Sequence, residues 1–184
     1  MKSQKRLTMS AFKRLYNKIE WRLAKGEKVC EILRKRGMKI GKNCELYKDV
    51  LYPGEPYLCS FGDNVRVTSG VKFITHDGGV WVCRNNGQLT DADVFGKIIV
   101  GNNVHIGVNA IIMPGVTIGN NVVIGCGAVV TRDIPDNSIA VGVPAKVIES
   151  YDEYLEKLSS KCDYTKHMSY EEKKKYLIDK FSIE

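Results

Sequence analysis

The chain of 184 residues contains no apolar run close to the roughly 20 residues that span a bilayer. No apolar signal-peptide core follows its basic amino terminus, so the sequence predicts a cytoplasmic protein. The six cysteines are spread without a C-x-x-C pair, which argues for free thiols rather than a disulfide framework. No nucleic-acid-binding motif accompanies the net charge of +7, so nucleic acid is not an expected partner.

What the sequence does contain is an aliphatic residue at every sixth position of its middle part. The step starts at Val100 and recurs through Ile106, Ile112, Ile118, Ile124 and Val130. A small or aliphatic residue stands four positions after each of these, from Val104 to Ile134. Helices and strands repeat about every 3.6 and 2 residues. A six-residue period instead predicts a β-solenoid, in which three repeats close one coil of about 18 residues.

The same period is present from Ile40 to Phe73, but two insertions interrupt it. Three residues are inserted in the turn-rich stretch 53–56. A second insertion of 15 residues, about 79–93, separates Phe73 from Val94, the next residue in phase. Insertions on one face of a solenoid are where such scaffolds usually carry function. The predicted organisation is a helical segment at 1–38, a solenoid at 39–148 and helices at 149–184.

Helices are predicted at both ends of the solenoid. Residues 10–36 have helical periodicity, interrupted near Gly26 and ended at Gly37. The apolar side chains of the first helix, which we expect to pack on the first coil, are Phe12, Leu15, Tyr16, Ile19 and Leu23. The alternative is that the basic face of this segment contacts an anionic membrane surface or an acidic partner. At the carboxyl end, the pairs Ser150 with Glu153 and Ser169 with Glu172 predict capping boxes.

Three features together resemble the hexapeptide-repeat acyltransferases: the repeat block, Thr75-His76-Asp77, and the closing segment Gly-Val-Pro-Ala-Lys-Val-Ile at 142–148. The branch concerned holds maltose and galactoside acetyltransferases, xenobiotic acetyltransferases and enzymes that O-acetylate bacterial surface polysaccharides. The resemblance covers about residues 39–148. It implies a mainly β protein, a left-handed parallel β-helix with flanking N- and C-terminal α-helices. It also implies a homotrimer with acetyl-CoA bound between adjacent subunits.

His76 is the candidate catalytic residue. Acetyl transfer from a thioester to a hydroxyl needs a base, and a histidine with an unperturbed pKa of about 6.5 suits this role. The resemblance assigns the role to His76, which precedes the long insertion and falls at a corner position of its repeat. A carboxylate or a carbonyl is expected to orient its second ring nitrogen. Asp77 is the nearest candidate, and Asp91 and Asp93 are its rivals.

The cofactor-binding residues are carried over from the resemblance. The stretch from Gly125 to Pro135 matches the family segment in which a corner amide, a threonine and a basic residue contact coenzyme A. This assigns Gly125, the backbone of Cys126, and the side chains of Thr131 and Arg132 to the cofactor, with Lys146 near its phosphates. Relatives commonly have tryptophan before Ile-Gly-Ser or Ile-Gly-Ala, where this chain has His105-Ile106-Gly107-Val108. His105 then either lines the pantetheine groove or is a surface histidine. Gly107 is assigned to the cofactor, and Val108, in place of a small polar residue, leaves only a backbone contact at its position.

The polar insertion suits a hydroxylated acceptor, with Trp81, Arg84 and Asn85 as candidate contacts. The prediction is an acetyl-CoA-dependent O-acetyltransferase acting on a sugar or a polysaccharide precursor. The alternatives are N-acylation of a nucleotide-amino sugar or a xenobiotic, and a non-catalytic trimeric scaffold. Zinc-dependent carbonic anhydrases share this solenoid, but the three histidines here include no close pair. No metal is therefore expected.

Overall fold

A computed structural model describes residues 15–183 of the chain. It divides into two compact units, Met1–Tyr151 and Asp152–Glu184. The helices of the described residues are α1 (15–23), α2 (Glu27–Lys35), α3 (Val80–Asn85), α4 (Tyr151–Ser159) and α5 (Tyr170–Phe181). A short 3-10 helix spans Pro56–Leu58. Among residues 15–183, no helix combines the length and the hydrophobicity that crossing a bilayer requires.

The first unit is a coil of short strands arranged in three sheets. Sheet A contains β1 (Lys39–Ile40), β3 (Cys59–Phe61), β6 (Ile98–Val100) and β9 (Thr117–Ile118). Sheet B contains β2 (Glu45–Leu46), β4 (Val65–Val67), β7 (Val104–Ile106), β10 (Val122–Ile124), β12 (Ser138–Val141) and β13 (Lys146–Ser150). Sheet C contains β5 (Lys72–Phe73), β8 (Ile111–Ile112) and β11 (Val129–Val130). All pairings are parallel except that of β12 with β13. The predicted mainly β solenoid with flanking helices is confirmed.

The six-residue period forms the core of this coil. The aliphatic residues at its first position, from Val100 to Val130, are each at most 2% exposed. They stack between coils, so that Val100 lies beside Ile118 and Ile106 beside Ile124. Full burial of one such side chain contributes about 1.5–3 kcal/mol. Stacking therefore buries what a single coil leaves exposed.

The strand register corrects the predicted length of the long insertion. Phe61 pairs with Val100, an offset of 39 residues, whereas Val100 pairs with Ile118 at the regular offset of 18. The excess is 39 − 18 = 21 residues, so the prediction of 15 was wrong. Val94, predicted as the next inward residue, is 50% exposed and outside the strands. Val94 and Val100 have the same phase, and the period alone cannot tell which of them re-enters the core.

The shorter insertion is confirmed by the register of the first two coils. Ile40 pairs with Phe61 at an offset of 21 residues, three more than 18. The additional residues lie in the loop that leads into Pro56–Leu58. The antiparallel strand β13 continues to Ser150, past residue 148, where the solenoid is predicted to end. The long insertion and this short one lie at the same corner of the solenoid, between sheet C and sheet A.

Asparagines in the left-handed region form the corner between sheet A and sheet B. Five of them have φ between 54° and 58°: Asn43, Asn64, Asn103, Asn121 and Asn137. The amide of Asn103 donates to Asn121, and that of Asn121 donates to Asn137, each at 2.8 Å. Asparagine tolerates this conformation better than other non-glycine residues do. The adjacent Gly101 admits no side chain, because a Cβ there would lie 2.7 Å from the carbonyl oxygen of Gly119.

The N-terminal helices have the predicted break and end, but the first one presents a different face to the solenoid. Gly26 and Gly37 have φ of 53° and 106°, as helix-breaking glycines do. The ring of Trp21 in α1 packs perpendicular to the ring of Tyr52, with centroids 6.0 Å apart, and the Arg36 guanidinium carbon lies 4.7 Å from the Trp21 ring centroid. The predicted apolar face is exposed instead, at 56% for Leu15, 60% for Tyr16, 49% for Ile19 and 72% for Leu23. Phe12 lies outside the described residues.

That prediction was wrong because one tryptophan determined the packing. Trp21 supplies a larger contact area than the smaller aliphatic side chains and combines it with ring and cation contacts. Ala24, on the same side of the chain, is 2% exposed. The aliphatic stripe of α1 therefore faces away from the solenoid.

The second unit contains α5 and most of α4, and neither helix has a buried residue. The predicted capping box at Ser169 is confirmed: its hydroxyl accepts from the Glu172 amide, and the Glu172 carboxylate accepts from the Ser169 amide. Within the unit, the Asp163 carboxylate accepts hydrogen bonds from Tyr176 and Lys180, each at 2.5 Å. Helix α4 begins at Tyr151, directly after Ser150, as predicted.

Candidate active site

The long insertion leaves the solenoid through a neck of two antiparallel segments. The amide of Asp77 donates to the Val94 carbonyl at 2.9 Å, and the amide of Gly96 donates to the Thr75 carbonyl at 2.8 Å. His76 and Phe95 are opposite each other in this pair, with ring centroids 6.4 Å apart. The neck fixes the backbone of His76 at the corner between sheet C and sheet A.

Glu55 is the carboxylate beside His76. Its Oε2 lies 3.8 Å from His76 Nδ1 and accepts a hydrogen bond of 3.0 Å from the Thr75 hydroxyl. Thr75 is fully buried, whereas the side chain of His76 is 57% exposed. Thr75 therefore anchors the carboxylate, and the outer part of the imidazole stays accessible. The sequence prediction missed Glu55, although the three-residue insertion in the turn around it was a signal.

The predicted carboxylate partners of His76 have other contacts. Asp77 Oδ1 accepts from the Gly79 amide at 2.8 Å within its own turn. Asp93 Oδ1 accepts from Arg84 Nη1 at 2.8 Å. Asp91 is exposed on the insertion. Asp77 and Asp93 still line the same cavity as His76, but Glu55 is the carboxylate that the structure places next to the ring.

A cavity of about 520 Å³ lies between the neck and the insertion. Its lining residues are Glu55, His76, Asp77, Gly78, Val80, Trp81, Arg84, Asp93, Val94 and Phe95. Of the predicted acceptor contacts, Trp81 and Arg84 line this cavity, whereas Asn85 ends α3 and is not part of the lining. Phe95 was missed by the sequence prediction. Arg84 also donates to the Ala92 carbonyl at 2.7 Å and so braces the insertion.

Three residues predicted to contact the cofactor, Gly107, Gly125 and Cys126, lie at the corner between sheet B and sheet C. With the neighbouring Gly127 they form what we call the glycine corner. The amides of Gly125 and Gly127 donate to Ala140 and Val108 on neighbouring coils. Within the described residues, the structure records no acceptor for the Cys126 amide. Gly107 cannot carry a side chain, because a Cβ would lie 2.7 Å from the Cys126 nitrogen. Cys126 and Gly127 are exposed, Gly125 is half-buried and Gly107 is buried, so the accessible backbone of the glycine corner is a narrow strip at 125–127.

The remaining predicted cofactor residues are divided between two corners. Thr131 and Arg132 follow β11, at the same corner as His76, and are exposed. They lie two coils further along the solenoid, which is about 10 Å at strand spacing. Lys146 begins β13 opposite Val141 and adjoins the glycine corner. One chain thus presents the predicted base and the glycine strip on different edges.

His105 lies on the outer side of sheet B, between Arg66 and Val123. Burial lowers its pKa from the ordinary value of 6.5, and the Arg66 cation lowers it further. Arg66 is paired with Glu45 at 2.9 Å. A cavity of about 210 Å³ opens here, lined by His105, Arg66 and Tyr151 among others. Within residues 15–183, no three His, Cys, Asp or Glu side chains are grouped as a metal site would require.

Comparison with known proteins agrees with these features. The family described as bacterial transferase hexapeptide (six repeats) matches residues 97–132. Protein CapG of Staphylococcus aureus is 53% identical over 151 residues, 81% of this chain and 87% of that protein. The structure of a maltose O-acetyltransferase from Clostridium difficile 630 has a TM-score of 0.54 at 33% identity, over 74% of this chain and 85% of that one.

A galactoside acetyltransferase crystallised in complex with coenzyme A is also similar. Its TM-score is 0.60 at 29% identity, over 85% of this chain and 87% of that one. The three-sheet parallel coil is typical of the left-handed β-helix of this family, which confirms the predicted fold class. The chain therefore belongs to the hexapeptide-repeat acetyltransferases of the maltose and galactoside O-acetyltransferase kind, and it is an acetyl-CoA-dependent acetyltransferase.

Proposed function

We propose that the protein transfers the acetyl group of acetyl-CoA directly to a hydroxyl group of a sugar or a polysaccharide precursor, with His76 as the general base. The observation that carries this proposal is the position of His76. It lies on the neck of the insertion and in the wall of a 520 Å³ cavity, with a buried threonine and Glu55 behind its ring. The maltose and galactoside O-acetyltransferases among its relatives support a sugar hydroxyl as acceptor.

His76 acts on the proton of the acceptor hydroxyl. Its exposed ring nitrogen removes that proton as the hydroxyl oxygen attacks the thioester carbonyl carbon. A new C–O bond forms, the C–S bond breaks, and the leaving thiolate takes the proton back from the imidazolium. Atoms and charge balance without an acyl-enzyme and without a metal. Removing a general base of this kind lowers kcat by about 10²–10⁴-fold.

Glu55 orients the imidazole of His76 and stabilises its protonated form. Its carboxylate faces Nδ1, so the neutral imidazole presents its other nitrogen toward the cavity. When His76 gains the acceptor proton, the carboxylate stabilises the imidazolium. Thr75 holds the carboxylate in place by its hydroxyl. Glu55 is therefore a positioning residue that acts through His76, a role for which the sequence offers Asp77, Asp91 and Asp93.

The glycine corner suits the cofactor. A narrow strip of backbone with the Cys126 amide accommodates an extended pantetheine chain, whose carbonyl groups need donors. Lys146 beside this strip carries a positive charge that suits the phosphates of coenzyme A. His105 and the glycines stay candidates for the groove, and Thr131 and Arg132 for contacts at the edge of His76.

The division of these residues between two edges supports a homotrimer with shared sites. In a symmetric trimer, the His76 edge of one subunit meets the glycine corner of its neighbour, and both parts of the site come together. This is the arrangement that the family resemblance implies. It also accounts for the exposure of both edges in a single chain.

The insertion supplies the acceptor contacts. Trp81 and Phe95 present exposed rings to the cavity, which suits stacking on the apolar face of a sugar. The ion pair of Arg84 with Asp93 fixes the polar side of the cavity. Sugar hydroxyls can exchange hydrogen bonds with this pair. Asn85 lies outside the cavity lining, so its role in binding stays a prediction.

The proposal is tested by measuring release of the coenzyme A thiol from acetyl-CoA across a panel of mono- and disaccharides. We expect wild-type protein to release thiol with at least one sugar and to form its O-acetyl ester, identified by mass spectrometry. His76→Asn should lose about 10²–10⁴-fold in kcat. His167→Asn, which changes an exposed histidine outside the solenoid, is the matched control and should retain activity. Full activity of His76→Asn, or an acetylated amine as the only product, would reject the proposal.

A further inference from the structure

Helix α1 carries an exposed apolar stripe, formed by Leu15, Tyr16, Ile19 and Leu23. Leu15, Ile19 and Leu23 follow one another at intervals of four residues and share one face of the helix. Each of the four is between 49% and 72% exposed. Trp21, two positions from Ile19, is on the opposite side, where it packs against Tyr52 and Arg36. The orientation of the stripe is therefore fixed by contacts of Trp21.

Positive charges flank this stripe. Lys18 and Arg22, four residues apart, form an exposed row beside it, and Lys25 follows at the end of the helix. The Lys48 ammonium group joins them, because it donates to the Arg22 carbonyl at 2.8 Å. The acidic residue of the helix, Glu20, lies 3.8 Å from Lys28, which offsets its charge. The sequence before the described region adds five basic residues and no acidic one: Lys2, Lys5, Arg6, Lys13 and Arg14.

We propose that α1 binds the surface of an anionic lipid bilayer, with the α1 stripe inserted among the lipids and the basic row on their headgroups. An amphipathic helix with lysine and arginine around its apolar face has the composition of helices that lie in a bilayer interface. Tyrosine suits the boundary between apolar and wet regions. Lysine is depleted at interfaces between proteins, whereas Lys18 and Lys25 border this stripe.

We expect the binding of α1 to the bilayer to be weak and salt-dependent. Four apolar side chains bury little area, and each basic side chain adds an attraction to anionic headgroups that salt screens. Binding through α1 is independent of the acetyl acceptor. Its failure would leave the proposed transfer reaction intact, since none of these side chains lines the cavity at His76.

The test is co-sedimentation of the full-length protein with unilamellar vesicles at low and at high salt. Vesicles of equal parts phosphatidylglycerol and phosphatidylcholine are compared with phosphatidylcholine alone. We expect binding to the anionic vesicles that declines with salt, and little binding to the neutral ones. Ile19→Gln/Leu23→Gln and Lys18→Gln/Arg22→Gln should each weaken binding about tenfold or more.

Matched controls come from the C-terminal helices. Leu155→Gln/Leu158→Gln in α4 and Lys173→Gln/Lys174→Gln in α5 change the same kinds of exposed side chains, and should bind vesicles as wild type does. Light scattering gives the oligomeric size of every variant. Three results would each overturn the proposal: no binding to anionic vesicles, equal losses in the control pairs, or a changed oligomeric size of the Ile19→Gln/Leu23→Gln protein with unchanged vesicle binding. The last result would identify the stripe as a contact between subunits.

Discussion

Glu55 joins two functions in one carboxylate, because the same oxygen accepts from Thr75 and faces the ring of His76. The hydroxyl of the buried Thr75 donates to the partly exposed Glu55 carboxylate and restrains it in one orientation. The restraint matters for catalysis, since a displacement of about 1 Å at a catalytic group can cost about a hundredfold in rate. Asp77 has its own restraint, the turn to Gly79, which holds the neck rather than the ring.

These contacts predict different effects on activity for two substitutions that each remove one negative charge. Glu55→Gln keeps an acceptor for Thr75 but loses the charge that stabilises the imidazolium. It should lower kcat by up to about a hundredfold. Asp77→Asn keeps the turn, because its side-chain oxygen still accepts from Gly79, and should remain close to wild type. The measurement is the kcat/KM profile of each variant over pH 5 to 9 with one sugar acceptor. Equal losses in both variants would contradict the role given to Glu55.

His105 gives a prediction about stability. Its pKa is lowered by burial and by Arg66, so the folded protein binds this proton less readily than the unfolded chain does. As the pH falls through 6.5, the ordinary value, the unfolded chain gains a proton that the folded state rejects. The free energy of unfolding should therefore fall between pH 7.5 and pH 5.5, and fall less in His105→Gln. Urea unfolding at one protein concentration measures this, with His167→Gln as control. An unchanged pH dependence in His105→Gln would refute the assignment.

The sequence predicted the corner position of His76, but it did not predict that Glu55 lies beside it. The difference has a physical reason. The repeat fixes the corner to which residue 76 belongs, because every sixth position has the same orientation. Glu55 lies 20 residues earlier, in an insertion without period, and its proximity depends on how two loops at one corner pack. The same limit explains Phe95, which the prediction placed within the solenoid and the structure places opposite His76. A period predicts positions inside the repeat, and the loops that complete the site have none.

At the scale of elements, the glycine corner and α1 show what a pattern can and cannot determine. The corner was predictable, because a glycine repeated at coil spacing marks a place where backbones approach closely. The buried face of α1 was not, because Trp21, which lies outside the apolar stripe, makes the contact with the solenoid. Amphipathic periodicity indicates that a face is apolar. It does not indicate what covers that face.

The glycine corner predicts a pattern of thiol reactivity. Burial raises the pKa of Cys30 to about 11 and that of Cys59 to about 12, so these thiols should react slowly. Cys126 and Cys162 are exposed and should react first with N-ethylmaleimide. If the cofactor lies along the glycine corner, acetyl-CoA should protect Cys126 and leave Cys162 unaffected. Peptide mass spectrometry after timed labelling measures both. Equal labelling of Cys126 with and without acetyl-CoA would place the cofactor elsewhere.

At the scale of the whole molecule, the predicted site is divided between two edges of one prism. His76, Glu55 and the cavity belong to the corner between sheets C and A, and the glycine strip belongs to the corner between sheets B and C. A single solenoid cannot bring these edges together, because its three sheets are held apart by the packed core. The proposed function therefore requires a neighbouring subunit, and the proposed trimer would supply it by symmetry.

Activity in mixed trimers tests this central claim most directly. His76→Asn removes the base, and Cys126→Trp fills the glycine corner with an exposed ring that the fold should tolerate. Each protein alone should be nearly inactive. With sites shared between neighbours, random co-assembly leaves about one site in four with an intact base and an intact corner. We predict that co-expressed subunits, purified together without selecting mixed trimers, regain about a quarter of wild-type acetyl transfer, whereas no recovery in verified mixed trimers would contradict a site shared between subunits.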